Sequence, residues 1–396
     1  MRIALLAPLP PEQTGIADYA ALLRAALQSV GVEVLTPLQG CGNDPERAVA
    51  RVAAFDWSGV DLVHAELGGG RLAEFHALRA LRARFPRLPL TATVHDPERL
   101  VWRRASLPWP LSLASALPSP WPQAATVLAD PLCLHEERRL AHSLDALITL
   151  TATGRDCLAR RMRLAPGKVH VIHHGNQAIA PAPLPPLEPL RLLYFGFIYR
   201  GKGIEDLVDA LALVIARQPD AGKRLRLTLA GGSAPETAFE PGESYLDQLR
   251  RRIVEKGLAS QIEWRLDIPA QEIAGEIQAH HVMVLPYRES KKLALLGAQR
   301  GTSGALSWAA ACGRGVITSD ARAFAEEVST GNGTTFPQGD VQALAARLQD
   351  LLEQPERCRQ WAERAAEIGR ERLWPLTATR FKALFADLSG GNHHVE

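Results

Sequence analysis

At 396 residues the chain is longer than one ordinary hydrophobic core needs and suits two domains of roughly 150 to 200 residues each. With 46% apolar and 22% charged residues, each half can bury its own core, which excludes a mostly disordered chain. A net charge of only +2 excludes a strongly basic nucleic-acid binder. The cysteines, Cys41, Cys133, Cys157, Cys312 and Cys358, form no CxxC pair and read as thiols of a reducing compartment, not as a disulfide framework or a zinc site. The opening MRIALLAPLP meets proline too early for a signal peptide, and no long apolar run free of proline and charge follows. The expectation is a cytoplasmic protein, in contact with the inner face of the cell membrane from its surface if at all.

RIALLAPL (2–9) has the length and apolarity of a parallel strand covered on both faces. The loop PPEQTG (10–15) follows, then a helix carried by Ile16, Tyr19, Leu22, Leu23 and Leu27. Further strands are predicted at 32–38, 60–67, 88–96, 143–151 and 168–175, alternating with helical stretches in the manner of a doubly wound sheet. Residues 100–124 break the rhythm, because three Trp among many Pro exclude both one regular helix and a central strand. APAPLPPLEPL (180–190) reads as a proline-rich linker between domains. The alternation then resumes, with strands at 191–197, 225–231, 262–266, 281–287 and 313–319 and helices at 203–217, 245–256 and around 340–353. The final stretch, about 355–391, is helical, with Trp361, Ala365, Ile368, Trp374, Phe381, Leu384 and Phe385 as its apolar stripe and an interruption near Pro375. The reading is two successive Rossmann-like α/β domains, 1–182 and 191–371.

Open α/β sheets bind ligands beyond the carboxyl ends of their strands, so the loops there are the places to search. Two such domains facing each other would point these loops into one cleft, a geometry for joining two substrates. GFIYRGKG (196–203) follows a strand and opens a helix, so backbone amides with Lys202 and Arg200 can meet an anion. Gly201 and Gly203 flank the lysine and favour close backbone approach, whereas the bland reading is a basic surface turn. GTSG (301–304) places Ser303 and Gly304 where helix-start amides can grip a diphosphate, or where an ordinary cap would sit. His95 ends an otherwise apolar strand and can donate a hydrogen bond or share a proton, while Asp96 suits a cap. His173, His174 and Asn176 are as readily structural as catalytic. In the first loop Gly15 permits backbone approach to a sugar or phosphate. Asp18 and Tyr19 suit the acceptor side, although Asp18 equally suits the first turn of a helix. Arg79, Arg82, Arg84 and Arg87, followed by Trp102, Arg103, Arg104, Trp109 and Trp121, fit either a lid over a soluble acceptor or an anionic bilayer surface. With no HExxH, P-loop, GxSxG or kinase motifs, neither a protein-held metal nor those chemistries is expected.

In order and spacing, PLPPEQTGIADY, TVHD (93–96), KVHVIHHGN (168–176), YFGFIYRGKGIEDLVDAL (194–211), LTLAGG (227–232) and CGRGVITSDARAFAEEVSTGNGTTF (312–336) resemble the retaining GT-B glycosyltransferases of family 4 (GT4), across almost the whole chain. The resemblance implies two Rossmann-like domains facing each other across a cleft, with a carboxyl-terminal helix near Trp374 crossing back so that 372–391 complete the first domain. It implies that Gly15 closes over donor phosphates, His95 lies by the donor sugar, Lys202 binds the diphosphate, and Glu326 lies near the donor nucleotide or sugar. Two glutamates eight residues apart are usual in that family; Arg300 and Trp308 occupy those positions here, and Phe197 stands where an arginine is usual.

The activity so implied is a metal-independent glycosyltransferase moving a sugar, with retention, from a UDP- or GDP-linked donor to the hydroxyl of a sugar or lipid-linked glycan in cell-envelope polysaccharide or glycoconjugate assembly. No cofactor beyond that donor and no nucleic acid is expected. The alternatives are a nucleotide-sugar epimerase of the same architecture and a catalytically silent sugar-nucleotide-binding subunit.

Overall fold

The computed structural model describes residues 1–101, 107–118, 120–232, 244–289, 296–298 and 300–390. The chain divides into two compact units. One comprises Met1–Gly175, Lys291–Thr302 and Trp374–Glu396, the other Asn176–Ser290 and Ser303–Leu373.

Among the described residues the first unit contains six parallel strands: β1 (Arg2–Leu6), β2 (Glu33–Leu35), β3 (Leu62–Leu67), β4 (Leu90–Val94), β5 (Ala146–Thr149) and β6 (Val169–Val171). Their order, β2-β1-β3-β4-β5-β6, reverses direction at β1 and β3, which pair in register through Ile3 and Leu62. The intervening helices are α1 (Gly15–Ser29), α2 (Pro45–Ala54), α3 (Leu72–Arg84), α4 (Trp121–Ser143) and α5 (Ala152–Met162). Thr14 starts α1, its hydroxyl accepting from the Ala17 amide at 3.1 Å. Tyr19, Leu23, Ala26 and Leu27 form the buried face of that helix. They pack with Trp374, Ala378, Phe381 and Phe385 of the last helix, Trp374–Gly390.

The predicted strand 32–38 contracts to Glu33–Leu35, since Pro37 has no amide for the ladder. The predicted 143–151 contracts because Ser143 still belongs to α4. Within 100–124 the described residues include a 3-10 turn, Leu111–Ala116, and the start of α4, whose Pro122 fits a first helical turn. Three arginines of 79–87 are engaged within the fold: Arg82 donates to Pro86 and Leu88 carbonyls and pairs with Asp145, Arg84 donates to the Ala53 carbonyl, and Arg79 lies 3.6 Å from Glu136.

The second unit has, among the described residues, strands β7 (Leu190–Phe195), β8 (Leu225–Gly231), β9 (Ile262–Leu266), β10 (Val282–Leu285), β11 (Gly315–Ser319) and β12 (Gly333–Phe336), in the order β12-β11-β10-β7-β8-β9. The chain steps outward from β7 to β9 and returns to the other side of β7, so the connections after β7 and β10 leave in opposite senses and open a crevice. Its helices are α6 (Ile204–Arg217), α7 (Ala221–Arg224), α8 (Tyr245–Glu255), α9 (Ile273–Gln278), α10 (Gly304–Ala311), α11 (Phe324–Val328), α12 (Val341–Glu353) and α13 (Arg357–Glu371). The last helix is α14 in chain order.

The proline-rich stretch after residue 175 is not a free linker. It belongs to the second unit: the Arg314 guanidinium donates to the Ala182 and Pro183 carbonyls, Gln278 to the Ala180 carbonyl, and His281 Nε2 lies 3.1 Å from the Pro185 carbonyl. Residues 291–302, read as part of the second domain, belong to the first unit. Arg99 and Arg161 donate to the Leu296 carbonyl, and Glu98 accepts from the Ala298 amide.

Candidate active site

In the first unit, chemistry gathers at the carboxyl ends of β3 and β4. His64 and Glu66 alternate onto one face of β3, opposite Thr91 and Thr93 of β4. His64 lies 2.8 Å from Thr91 Oγ1 and 3.0 Å from Thr93 Oγ1, and His95 Nε2 lies 2.7 Å from Glu66 Oε2. Glu66 is fully buried. Burial pushes its carboxyl up, but hydrogen bonds and charge from His64 and His95 pull it down, and the net is below the ordinary carboxylate value. An ionised carboxylate only accepts, so Nε2 of His95 carries a proton and, in the neutral ring, Nδ1 is left to accept.

The backbone around His95 leaves no spare volume. A Cβ on Gly68 would come within 2.9 Å of His95 Cβ, and one on Gly301 within 2.2 Å of the His95 carbonyl. Asp96 accepts from the Gly69 amide at 3.1 Å and so braces the turn after β3. Tyr19, expected on the acceptor side, is instead only 2% exposed; its ring packs edge-on against His95, His174 and Trp374 as the wall behind the histidine. Asp18 is exposed in the first turn of α1, and Gly15 opens that helix with no atom near its Cβ position. Trp102 lies outside the described residues. His173 meets the Leu150 carbonyl, and Asn176 is buried in the second unit, joining Arg372, Gly369 and Ser307. A cavity of about 600 Å³ lies at the other, amino-terminal edge of this sheet, between Asp61, Pro89 and Ser389, remote from this chemistry.

In the second unit the crevice between β7 and β10 holds Lys202. Its side chain is largely buried, with Nζ 3.7 Å from the centre of the Tyr287 ring and 5.0 Å from that of Tyr199. Tyr287, just past β10, puts its hydroxyl 3.2 Å from Ser303 Oγ, and Ser303 caps α10 by accepting from the Ala305 amide. Burial pushes the Tyr287 phenol up, yet the Lys202 charge and bond, the Ser303 bond and Arg322 outweigh it, and the net is below the ordinary tyrosine value. Tyr287 thus links Lys202 on one side to Ser303 on the other, and Ser303 with Gly304 opens α10. Gly203 makes the approach possible: it adopts φ 67° at the start of α6, and a Cβ there would lie 1.8 Å from the Pro286 carbonyl. Gly201 accepts from the Arg288 amide at 3.0 Å, and Arg288 forms a two-pronged pair with Asp206.

Arg200 does not join this group. It is exposed and directed to α8, donating to Gln248 at 2.7 Å and lying over Tyr245. Glu326 is half-buried on α11, while its neighbour Glu327 is buried and pairs with Arg372 at 2.7 Å. Trp308 packs on the core of the second unit, its ring 6.4 Å from Phe195, whereas Arg300 belongs to the first unit. Among the described residues no group of three His, Cys, Asp or Glu is placed to hold a metal ion.

Glu66, His64 and Tyr287 were not singled out in the sequence. The signal for the first two was two polar residues at alternate positions inside VDLVHAEL, and for Tyr287 its place directly after an apolar strand.

Both clusters sit at the carboxyl ends of strands. Residues 189–354 match the family model for glycosyl transferases group 1. The chain resembles sucrose-phosphate synthase from Thermosynechococcus elongatus at TM-score 0.71 and 19% identity, covering 99% of this chain and 100% of that one. It also resembles Anabaena HepE in complex with UDP-glucose, at TM-score 0.66 and 16% identity over 98% of this chain and 100% of that one. These likenesses show the fold, GT-B, built of two Rossmann-like α/β domains. In sequence it is 27% identical over 255 residues to D-inositol 3-phosphate glycosyltransferase 2 of Catenulispora acidiphila, 61% of this chain and 56% of that protein. The chain thus spans about half the length of the relatives it matches.

Proposed function

We propose that this protein is a retaining, metal-independent glycosyltransferase that moves a sugar from a nucleotide diphosphate sugar to an acceptor hydroxyl in cell-envelope polysaccharide or glycoconjugate assembly in the cytoplasm. The observation that carries the reading is the largely buried Lys202 against Tyr287, whose hydroxyl reaches Ser303 at the start of α10, at the reversal point of the second sheet. The group 1 family match over that unit, a relative named as a glycosyltransferase and a similar structure holding UDP-glucose support it.

In this reading the diphosphate lies against Lys202 and the amides opening α10, which hold its growing charge as the sugar–phosphate bond breaks. The acceptor oxygen bonds to the anomeric carbon on the face the phosphate leaves. Its proton passes to a phosphate oxygen, so charge and atoms balance without a protein nucleophile. His95, fixed through Nε2 by Glu66, orients the donor sugar through Nδ1. The nearby loop carrying Gly15 and Asp18 serves the substrate side of the first unit, and Glu326 the donor.

The test is calorimetric titration with nucleoside diphosphates and their sugar conjugates, alongside Lys202→Ala. Micromolar binding of one base, weakened at least about tenfold in the variant, is expected. No binding to any of them overturns the donor site. Arg300 and Trp308 at the usual glutamate positions favour a second reading, a sugar-nucleotide binder without turnover. Tight binding with no product from any donor and acceptor pair would select it.

A further inference from the structure

The longest charge-free surface of the first unit is one that the transfer chemistry does not use. Residues 107–129 contain no Asp, Glu, Lys, Arg or His. Far from being buried, their large apolar side chains face outward: Trp109 is 82% exposed, Leu113 67%, Leu117 49%, Trp121 59% and Leu128 68%, followed by Leu132 at 60%. Single exposed leucines are ordinary, but here six such side chains lie on or beside one 3-10 turn and along the helix that follows it.

Its geometry follows from helical spacing. Trp121 and Leu128, seven residues apart, share one face of α4, and Leu132 follows directly after Pro131, the proline inside that helix. Ala125, Ala129, Cys133 and Glu137 occupy the buried face, and Glu137 is tied to Arg99. Further along, the outward face changes character. Arg139, seven residues after Leu132, returns to the face of Leu132 and is exposed. Arg160 and Arg163 are exposed at the end of α5, whose Arg161 carbonyl accepts from Arg138. Arg161, Arg163 and Arg99 are close enough to push the Arg138 guanidinium below its ordinary value, burial being the larger cause. Asp130, the acid within the apolar stretch, is spent on Arg99 and Arg161.

We infer that this surface docks on an anionic lipid bilayer, with Trp109, Leu113, Trp121, Leu128 and Leu132 entering the headgroup boundary and Arg139, Arg160 and Arg163 meeting lipid phosphate. Tryptophan is suited to that boundary because an apolar ring carries one polar N–H, and prolines keep the stretch before α4 from closing into a buried element. Apolar entry and electrostatic attraction act together in surface-bound helices. Among the described residues no helix is long and apolar enough to cross a membrane, so the contact is one of surface attachment. The inference does not depend on the transferase reading.

The test is flotation of the full chain with vesicles of phosphatidylcholine alone and of phosphatidylcholine with phosphatidylglycerol in equal parts. Two variants accompany it, Trp121→Ser with Leu128→Asp, and Arg139→Glu with Arg163→Glu, each checked for an unchanged thermal unfolding profile. The expected result is flotation with the anionic vesicles only, reduced at least about tenfold in both variants and weakened by salt. Absence of flotation, or flotation that neither variant changes, overturns it. A concentration-dependent dimer abolished by Leu128→Asp, without flotation, also overturns it and assigns the patch to a second copy of the chain.

Discussion

His95 Nε2 and Glu66 Oε2 are 2.7 Å apart, and Glu66 has no exposure to solvent. The imidazole therefore has a fixed orientation before any substrate arrives. Glu66→Gln keeps the volume and removes the charge. Turnover is expected to fall by about tenfold to a hundredfold with KM changed much less, since one charge-assisted bond is worth roughly 1.5–3 kcal/mol. A steady-state kcat and KM comparison checks this.

Glu66, held ionised by His64 and His95 together, makes stability depend on acidity. Glu66 ionises more easily folded than unfolded, so its contribution is complete above the unfolded value of about 4.3 and fades as pH falls through the lower folded one. Urea midpoints of the native protein should drop below about pH 4 more steeply than those of Glu66→Gln. Parallel curves would deny Glu66 this role.

At the other cluster Lys202 lowers the Tyr287 phenol against the effect of burial. Lys202→Met leaves the burial and removes the cation, so that phenol should titrate at higher pH than in the native protein. Phenolate difference absorbance, with Tyr287→Phe to identify the signal among five tyrosines, reads the change.

Much of this was legible in the sequence because burial on both faces forces parallel strands into apolar runs. LRLTLAG and IEWRL coincide with β8 and β9. What escaped was set by distant partners. Nothing local says that Arg314 will pin the carbonyls of Ala182 and Pro183, turning a proline-rich stretch into part of the second unit. Nor does local sequence say that Tyr19 will be buried under Trp374, or that Arg200 will turn to Gln248 and away from Lys202.

Gly203→Ala tests how tightly the lysine loop is held. Left-handed backbone costs a non-glycine residue about 1–2 kcal/mol, and the added methyl would press on the Pro286 carbonyl. A loss of more than about 2 kcal/mol in urea unfolding is expected, together with weaker nucleotide binding.

Trp308→Glu puts back the acid usual at that position. Because Trp308 packs on the core beside Phe195, the change should lower stability by about 2–4 kcal/mol and leave turnover no higher. A gain in turnover without that loss would show that the position still accepts a carboxylate.

The polypeptide passes between its two units four times, after Gly175, Ser290, Thr302 and Leu373. No single cut can therefore release either unit whole. A fragment ending near residue 175 would lack α14, the cover over Tyr19, Leu23 and Leu27, and the segment bearing Gly301 beside His95. One beginning at 176 would carry those pieces with nothing to cover. Synthesis on the ribosome faces the same order, so the amino-terminal sheet must wait for the last helix to be made before its apolar flank is closed.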